Sequence, residues 1–523
     1  MFKLNTISLI ILIFSTQNFF AQEKKIEIIN ASSLDKDELL FPDANILKGS
    51  SSKQVHLRHD EMDIFSNNAI FFQKKNKFIA KGDVFLKQGD SLELKCDSLN
   101  YDGKIKKFFS YGKVYLINNK TTLNSNELLY DRKKNVASFF NGGNIIDSLT
   151  TIQSKKGDYL LEIDKYKFRN DVTITNPDYI IESESVDYIV GQEKTYFLDS
   201  TKITGDAYEI TCNRGFYDGK LMKGYFLDNA KILLNERIIR GDSIFFDDEM
   251  KYASAAKNIS IFDRNEKLQI LGEFAEIFEK KDSAIVTKNP IAINTSEIDS
   301  LFISADTLYS VGDKENRIIK GLNNIKFFKK NMSGKSDFII INQRRGLTRL
   351  IRKVLGKKEL QILSQEQINM LNPIIWDGNN QISGDEIILK ENNENNKLDS
   401  LIVTNNGFIV EKDTLGINNY NQIKGIRILG KFFKGKIKSL KVDQNAEIIY
   451  HMYDDNELIG VDKAVSSSIM ITMSEKGIDK IRFITDPEGI LYPEDFLDKN
   501  EKFLEGFINR RNEKINNKLD LFE

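Results

Sequence analysis

The stretch Asp97-Ser-Leu-Asn-Tyr101-Asp102 decides the fold, because close copies of it recur along the chain. It returns as Asn126-Glu-Leu-Leu-Tyr130-Asp131 and as Asp242-Ser-Ile-Phe-Phe246-Asp247. The aromatic residues of this series are spaced 29 residues apart and are Phe72, Tyr101, Tyr130, Tyr159, Tyr188, Tyr217 and Phe246. Aromatic residues make up only 10% of the chain, so seven of them in one register indicate a structural repeat.

Each repeat has the pattern of β-strands joined by tight turns. Short alternating apolar runs such as Val84-Phe-Leu86 and Val114-Tyr-Leu116 predict strands. Asp102-Gly103 directly follows an aromatic residue and suits a hairpin turn, because glycine tolerates a positive φ. We therefore expect an all-β array over about residues 60–485, with the seven aromatic side chains on one face of the sheet.

Two segments have helical spacing instead. Between residues 347 and 355 apolar side chains recur at i, i+3 and i+4 with basic residues between them, and 359–370 could form a second helix. We expect this basic insertion to lie outside the β stack. Its residues Arg349, Arg352 and Lys353 are candidates to contact lipid phosphates or an anionic membrane surface, and a docked, solvated helix is the alternative. A terminal helix is predicted over 494–516, where it could cover an open sheet edge.

The composition argues against several classes of protein. The 75 Lys and Arg residues balance the 76 Asp and Glu residues, so a nucleic-acid partner is not expected. The chain has three histidines and contains no Gly-x-Ser-x-Gly, phosphate-binding loop or Cys-x-x-Cys motif. The aspartates that recur beside the turns are typical of turn caps. The sequence therefore predicts no catalytic residue, no metal site and no cofactor.

The N-terminus and the cysteines indicate whether the protein is exported and whether it contains a disulfide. Lys3, the apolar run 7–14 and Ala21 predict a secretory signal peptide over residues 1–21. Cys96 and Cys212 lie 116 residues apart, which is four repeats. At ~4.8 Å per strand they would be at least ~19 Å apart, whereas a disulfide needs Cα atoms within about 7 Å. We expect an exported protein in which these two cysteines are not bonded to each other.

These features together resemble the OstA/LptA-like family, and in particular the long Bacteroidetes-type OstA-like proteins of lipopolysaccharide transport. The resemblance rests on the export signal, on Gly82-Asp-Val-Phe-Leu86 and Gly112-Lys-Val-Tyr-Leu116, and on Asn372-Pro-Ile-Ile-Trp376, and it covers about residues 25–490. It implies an open, repetitive β jelly roll with an apolar trough for acyl chains, which the seven aromatic residues would line. It also implies edge-strand pairing with other jelly-roll transport proteins and no catalytic residues.

The resulting prediction divides the chain into six segments. They are the signal peptide 1–21, a lead-in 22–60, an OstA-like β array 61–342, a basic helical insertion 343–371, a second OstA-like β segment 372–486 and a C-terminal helix 487–523. The expected function is a periplasmic, non-catalytic carrier or bridge for lipopolysaccharide or a related amphiphile, with an association with the outer membrane left open. Two alternatives remain, a structural envelope protein with a filled core and a β-helix polysaccharide-processing enzyme.

Overall fold

The computed structural model describes residues 24–119, 121–265, 267–294, 300–313, 316–330, 332–392, 397–416, 418–434, 436–474, 477–493 and 501–522. The predicted signal peptide lies outside these residues, as do positions 494–500 of the predicted terminal helix. The chain forms two compact units. The first comprises Met1–Pro177 and Glu184–Gly191, and the second comprises Asp178–Ser183 and Gln192–Glu523.

Regular structure in the described residues is almost entirely β, which confirms the all-β prediction. The strands are β1 (Glu27–Asn30), β2 (Ser33–Asp35), β3 (Asn45–Lys48), β4 (Val55–His59), β5 (Met62–Ser66), β6 (Asn68–Phe72), β7 (Lys77–Gln88), β8 (Leu92–Asp102), β9 (Lys107–Asn118), β10 (Thr121–Asp131), β11 (Val136–Phe139), β12 (Gly143–Asp147), β13 (Thr150–Ser154), β14 (Lys156–Leu160), β15 (Lys165–Asn176), β16 (Tyr179–Ile189), β17 (Lys194–Phe197), β18 (Thr201–Gly205), β19 (Tyr208–Cys212) and β20 (Arg214–Asp218). They continue as β21 (Lys223–Leu234), β22 (Arg237–Asp247), β23 (Tyr252–Asp263), β24 (Leu268–Phe278), β25 (Ser283–Thr287), β26 (Ile291–Asn294), β27 (Leu301–Ser304), β28 (Thr307–Val311), β29 (Ile318–Lys329), β30 (Met332–Asn342), β31 (Leu347–Ile351), β32 (Ile374–Asp377), β33 (Asn380–Ser383), β34 (Glu386–Asn392), β35 (Lys397–Lys412), β36 (Tyr420–Phe433), β37 (Lys436–Asp454), β38 (Glu457–Ser474), β39 (Gly477–Ile484) and β40 (Glu488–Tyr492). The helices are α1 (Lys357–Ile362) and α2 (Gln365–Met370), with 3₁₀ turns at Gln73–Lys75, Leu161–Ile163, Glu279–Lys281, Arg511–Glu513 and Lys518–Leu521.

The long strands bend at their middle. On β21, Asp228 and Asn229 have φ values of +55° and +59°, and on β23, Lys257 and Asn258 have φ values of +62° and +50°. The strand register shifts at the same places, between Leu227 and Ala230 on β21 and between Ala256 and Ile259 on β23. Such bulges bend a strand sharply, and asparagine and aspartate tolerate the left-handed conformation better than other side chains. Each long strand therefore contributes one half to each of two half-sheets.

One aromatic residue of the 29-residue series does not share the inner face. Phe71 pairs with Phe78, which pairs with Tyr101, so these three residues face the same side. Phe72 pairs with Lys77 and faces the opposite side, where the Lys75 ammonium lies 5.5 Å from its ring. The prediction for Phe72 is therefore wrong, because the turn at 89–91 between β7 and β8 has three residues where the turn between β9 and β10 has two. That extra residue moves the inward aromatic to Phe71.

The first part of the predicted helical insertion is a strand. β31 pairs with both β30 and β34, and Leu350 on β31 is fully buried. Its backbone groups thus gain partners on both sides, which an isolated surface helix would not provide. Val354, predicted to lie on the apolar helix face, is 88% exposed. Helical structure in the insertion is limited to α1 and α2, near the second predicted helix at 359–370.

The described part of the predicted C-terminal helix, residues 501–516, contains no α-helix. Residues 501–522, called the tail below, form an irregular segment in which Leu504, Arg510 and Ile515 are buried. The tail lies across a sheet face of the second unit, and Phe507 packs there beside Phe408 with ring centroids 6.4 Å apart. The apolar residues of this segment, although they have helical spacing, therefore contact a sheet and do not form the face of a helix.

Both cysteines are buried free thiols, which confirms that they are not bonded to each other. The Cys96 thiol lies 3.2 Å from the carbonyl oxygen of Ser98. Burial raises the pKa of the Cys96 and Cys212 thiols to about 12. Each thiol is therefore protonated and packed as a small apolar side chain.

Turn aspartates stabilise the hairpins, and Asp131 provides a test. Its carboxylate accepts hydrogen bonds from the amides of Lys133 and Lys134 at 3.1 and 3.2 Å, and it pairs with Lys107 at 3.0 Å. Burial acts to raise the pKa of Asp131, but these hydrogen bonds outweigh it and hold the pKa below the usual value. Replacement by alanine should therefore destabilise the β10–β11 hairpin by about 1 kcal/mol at pH 7.

The pH dependence follows from the lowered pKa. The contribution of Asp131 should be present above its unfolded pKa of about 3.9 and should disappear as the pH falls through the lower folded value. Amide hydrogen exchange of β10 and β11 at pH 7, and urea unfolding at pH 7 and pH 3, would measure this. The exposed residue Glu162 provides the matched control, Glu162→Ala. Equal exchange in Asp131→Ala and Glu162→Ala at pH 7 would show that the cap contributes nothing.

Candidate functional site

The inner face of the β array carries a row of aromatic residues. Six members of the 29-residue series are no more than 2% exposed: Tyr101, Tyr130, Tyr159 and Tyr188 in the first unit, and Tyr217 and Phe246 in the second. The hairpins position them, since the aromatic residue meets the residue seven positions later across the turn, as in the pairs Tyr101–Phe108, Tyr159–Tyr166 and Phe246–Ala253. Cross-strand partners on one face are in contact, so successive hairpins build a continuous row.

Ring packing within this aromatic row is close. The rings of Tyr159 and Tyr166 are parallel within 8° with centroids 4.1 Å apart, and Phe168 continues the stack 5.2 Å from Tyr166. In the second unit the rings of Tyr208 and Phe246 lie 4.7 Å apart. These distances are within the range of favourable aromatic pairs. The aromatic side of the interior is therefore filled by the side chains themselves.

A second row, which the sequence reasoning missed, is aliphatic and occupies the other half of the same strands. Its members pair in succession and are no more than 5% exposed. In the first unit the aliphatic row consists of Leu57, Ile64, Leu86, Leu94, Leu116, Leu123, Ile145, Ile152 and Ile174. In the second unit it consists of Ile181, Ile203, Ile210, Ile232, Ile239, Ile261 and Ile270. Leu94, Leu123, Ile152, Ile181, Ile210 and Ile239 are also 29 residues apart, so the sequence contained this signal.

Tyrosine hydroxyls of the first unit close one side of the interior. The Tyr159 hydroxyl accepts from Asn118 Nδ2 at 2.6 Å, and the Tyr188 hydroxyl donates to Asp147 Oδ2 at 3.0 Å. Both pairs are separated by 41 residues, so the same contact joins the two half-sheets in successive repeats. The Tyr101 hydroxyl lies 2.5 Å from Nδ1 of His59 in the equivalent place. We call these contacts the hydroxyl rim.

The Tyr101 and Tyr159 hydroxyls of the rim are un-ionised at physiological pH. Burial raises the pKa of Tyr101 to about 12, although Arg132 lies 2.8 Å from its oxygen and opposes the shift. Burial also raises the pKa of Tyr159, with Asn118 opposing the shift and Asp164 adding to it. The rim therefore places the neutral hydroxyls of Tyr101 and Tyr159 beside hydrogen-bonded groups that include the Arg132 guanidinium, and the interior behind it is hydrocarbon, an environment suited to apolar chains.

The three basic candidates of the insertion are each held by protein groups. Arg349 Nε lies 2.6 Å from Glu386 Oε1, and Lys353 Nζ lies 3.1 Å from Glu359 Oε1. Arg352 contacts Asp385 at 3.3 Å and Asn372 at 2.9 Å. Arg349 and Lys353 remain close to half exposed. The structure therefore places them in separate ion pairs and does not bring them together in one anion site.

The histidines of the N-terminal segment have structural partners. His56 Nε2 lies 2.7 Å from Asp63 Oδ1 and its ring stacks on Phe65 at 4.3 Å. Within the part of the chain that the structure describes, no cluster of three or more metal-ligating side chains occurs. Among those same residues, no helix is long and apolar enough to cross a membrane.

Comparisons with known proteins give a family match in the N-terminal part of the chain. Residues 23–184 match the family model described as OstA-like protein. Over these residues the chain is similar to that family. No curated protein matches the sequence. Among solved structures, LptH, the LptA homologous periplasmic component of the conserved lipopolysaccharide transport device from Pseudomonas aeruginosa, aligns with 11% identity and a TM-score of 0.21, covering 23% of this chain and 85% of that chain. The matched region 23–184 contains Tyr101, Tyr130 and Tyr159 of the aromatic row and two of the three contacts of the hydroxyl rim.

Proposed function

We propose that this protein is a non-enzymatic periplasmic carrier or bridge that moves lipopolysaccharide, or a related amphiphile, towards the outer membrane. The observation that carries the proposal is the pair of continuous rows, one aromatic and one aliphatic, on the inner face of the β array. The OstA-like region supports it at the level of the family. Acyl chains would lie between the half-sheets of each unit, in contact with Tyr101, Tyr130, Tyr159 and Tyr188 in the first and with Tyr217 and Phe246 in the second. Phe72 faces the other side and has no part in this proposal.

The energetics of acyl chains make such a carrier useful. At ~0.8 kcal/mol per CH₂ group, a 14-carbon chain in water costs on the order of 10 kcal/mol relative to an apolar environment. A protein that covers the chain along its whole path removes this cost without any chemical step. An apolar row that continues from strand to strand, as seen from Leu57 to Ile174, provides such a path. The charged head group would remain outside.

The described structure is the closed form of this interior, since the rows fill it. Loading would therefore require the half-sheets to separate at the hydroxyl rim. Each rim hydrogen bond contributes only about 0.5–1.5 kcal/mol to stability. Burial of one acyl chain gains on the order of 10 kcal/mol, which is much more. The hydroxyls of Tyr159 and Tyr188 would exchange their protein partners for water or for polar lipid groups. Opening at the rim is thus compatible with the energy that the ligand supplies.

Strand edges in each unit would provide the contacts with other jelly-roll proteins of the pathway. In the described part of the first unit, β2 pairs only with β3, and Leu34 on β2 is 53% exposed. In the second unit β40 pairs with β38, and Ile490 on β40 is 58% exposed. Open edges with apolar side chains are templates for a further strand. We propose that these edges accept the end strands of neighbouring transport proteins.

Photo-crosslinking in living cells tests the proposed function. A photoreactive amino acid at Tyr130, Tyr159 or Ile152 should capture lipopolysaccharide, because these positions face the proposed acyl path. The same amino acid at Lys104, an exposed turn residue, provides the control and should capture none. Folding of each variant would be verified by hydrogen exchange. Folded inward variants that never capture lipid would contradict the carrier proposal.

The second candidate function is a structural envelope protein, which the filled interior favours. Tyr159 stacks parallel on Tyr166, and its hydroxyl is hydrogen-bonded, as expected for a side chain in a fully packed core. A scaffold predicts that the interior stays closed in the cell. Failure of crosslinking at all inward positions, in a protein that is folded and exported, is the result expected for this function.

A further inference from the structure

The tail covers the outer side of a half-sheet in the second unit. The residues of this outer side pair with one another in succession, are no more than 2% exposed and are Trp376, Gln381, Val410, Gln422 and Ile449. We call this surface the tail face. Its strands bury their other side in the interior, through residues such as Ile382 and Ile409. The half-sheet is thus covered on both sides.

Two glutamines of the tail face bind the tail backbone in the same way. Gln422 donates from Nε2 to the carbonyl of Lys502 at 2.8 Å and accepts the amide of Leu504 at Oε1 at 2.9 Å. Gln381 donates to the carbonyl of Ile508 at 2.7 Å and accepts the amide of Arg510 at 2.8 Å. Each side-chain amide therefore pairs with the carbonyl of one residue and the amide of the residue two positions later. Each clamp thus holds a short stretch of tail backbone in the manner of a strand neighbour, and a turn at Glu505–Gly506 separates the two stretches.

Side-chain contacts set the register between these two glutamine clamps. Leu504 is 4% exposed and packs among Phe408, Val410, Ile449 and Val461. Six residues later, Arg510 donates to the carbonyl of Asn372 at 3.0 Å and forms a two-pronged pair with Glu513. Arg510 is 7% exposed, so its charge is satisfied within the protein. An aliphatic residue and an arginine six positions later are the side chains that this face selects.

The tail does not satisfy every polar group near the Gln381 clamp. Trp376 and Ser333 are cross-strand neighbours on the same side of the sheet. Within the described residues, the indole Nε1 of Trp376 and the hydroxyl of Ser333 are buried without a hydrogen-bond partner. A buried donor without a partner is unfavourable. A segment that brings a polar side chain to this place would fit the face better than the tail does.

We propose that the tail face is a binding site for a polypeptide segment with an aliphatic residue at the place of Leu504 and an arginine six residues later, and that the tail is its built-in, displaceable occupant. The two glutamine clamps contact backbone groups alone, so they hold any chain that follows the path of the tail. The Leu504 pocket and the Arg510 contacts select the sequence. The tail therefore controls access to the site, and a partner segment competes with it directly.

The experiment measures binding of a fluorescent synthetic peptide of residues 501–523 to the full chain and to a variant that stops after Pro493. We expect one-to-one binding to the truncated variant, at least tenfold tighter than to the full chain. The double substitution Gln381→Leu/Gln422→Leu in the truncated variant should weaken binding at least tenfold. Gln153→Leu, at an exposed strand position, should leave it unchanged.

Modified peptides test the backbone contacts separately from side chains. N-methylation at Leu504 and Arg510 removes the two amide donors that the clamps accept and should abolish binding. N-methylation at Phe503, whose amide donates no hydrogen bond within the described residues, should preserve it. The proposal would be overturned if the peptide bound the full chain and the truncated variant with equal affinity. It would also be overturned if the clamp substitutions left peptide binding unchanged.

A second binding experiment applies if the truncated variant does not fold. A protease site placed within residues 494–500 of the full chain is cut after purification, which leaves the tail held without a covalent link. Excess labelled peptide should then enter the cut protein and release the original tail, and it should enter the uncut protein at least tenfold more weakly. A cut protein that keeps its tail and takes up no peptide would show that the tail is a fixed part of the core.

Discussion

Replacing Tyr159 with aspartate should lower the free energy of unfolding of the first unit by about 4 kcal/mol or more. The Tyr159 side chain is 1% exposed and stacks on Tyr166 at 4.1 Å, so the substitution removes a buried ring. It also buries a carboxylate beside Asp164, whose oxygen accepts the Tyr159 hydroxyl at 2.8 Å. Loss of packing and repulsion between like charges act together. Hydrogen exchange of β14 and β15 would measure the effect, since the single tryptophan, Trp376, lies in the second unit and does not report on the first.

The variant Tyr159→Phe is the matched control, because it keeps the ring and removes the hydroxyl alone. It loses the contacts with Asn118 and Asp164 and should cost about 1–2 kcal/mol. If the carrier proposal holds, this variant still captures lipid from neighbouring crosslinking positions, since its inner face remains apolar. A loss of less than about 1 kcal/mol in Tyr159→Asp would show that the ring is not part of the core.

The second large effect is expected at Gly157, which makes room for Phe139. A Cβ atom at Gly157 would lie 2.5 Å from the Phe139 ring, and one at Gly143 would lie 2.6 Å from the same ring. Phe139 is 1% exposed and cannot move away without disturbing its neighbours. Gly157→Val should therefore destabilise the β11–β14 pair by about 3 kcal/mol through overpacking. Urea unfolding followed by hydrogen exchange of β11 and β14 provides the measurement.

A compensating substitution distinguishes overpacking from a general cost of valine at this position. Phe139→Ala removes the ring that the new side chain would strike, although it leaves a cavity when made alone. In the double variant Gly157→Val/Phe139→Ala the two defects should offset each other, so the total loss is at least 1 kcal/mol smaller than the sum of the single losses. Additive losses would mean that the two residues do not share this space.

The two rows of the candidate site differ in how visible they are in the sequence. Aromatic residues are sparse, so Tyr101, Tyr130 and Tyr159 at equal spacing stand out. Leu123 and Ile152 have the same spacing, but leucine and isoleucine are frequent and their period is hidden among other aliphatic residues. The hydroxyl rim was not predictable, because it joins residues 41 positions apart on facing half-sheets. Its partners are known only when the bends in the strands are known.

The sequence by itself determined the repeat length, the all-β class, the turn aspartates and the separate, unpaired state of Cys96 and Cys212. These are local or periodic properties, and they follow from side-chain alternation and turn chemistry. It did not determine which of Phe71 and Phe72 faces inward, because one added residue in the turn at 89–91 changes the register of everything before it.

Only the tertiary structure decided the state of residues 347–351 and of the tail. Both have helical apolar spacing, yet the first becomes a strand because β30 and β34 offer backbone partners on both sides. In its described residues the tail forms no α-helix, because Gln381 and Gln422 bind its backbone and the pocket of Leu504 lies on strands far away in sequence. A short helix gains little on its own in water, so the partners that the folded sheet provides determine the outcome.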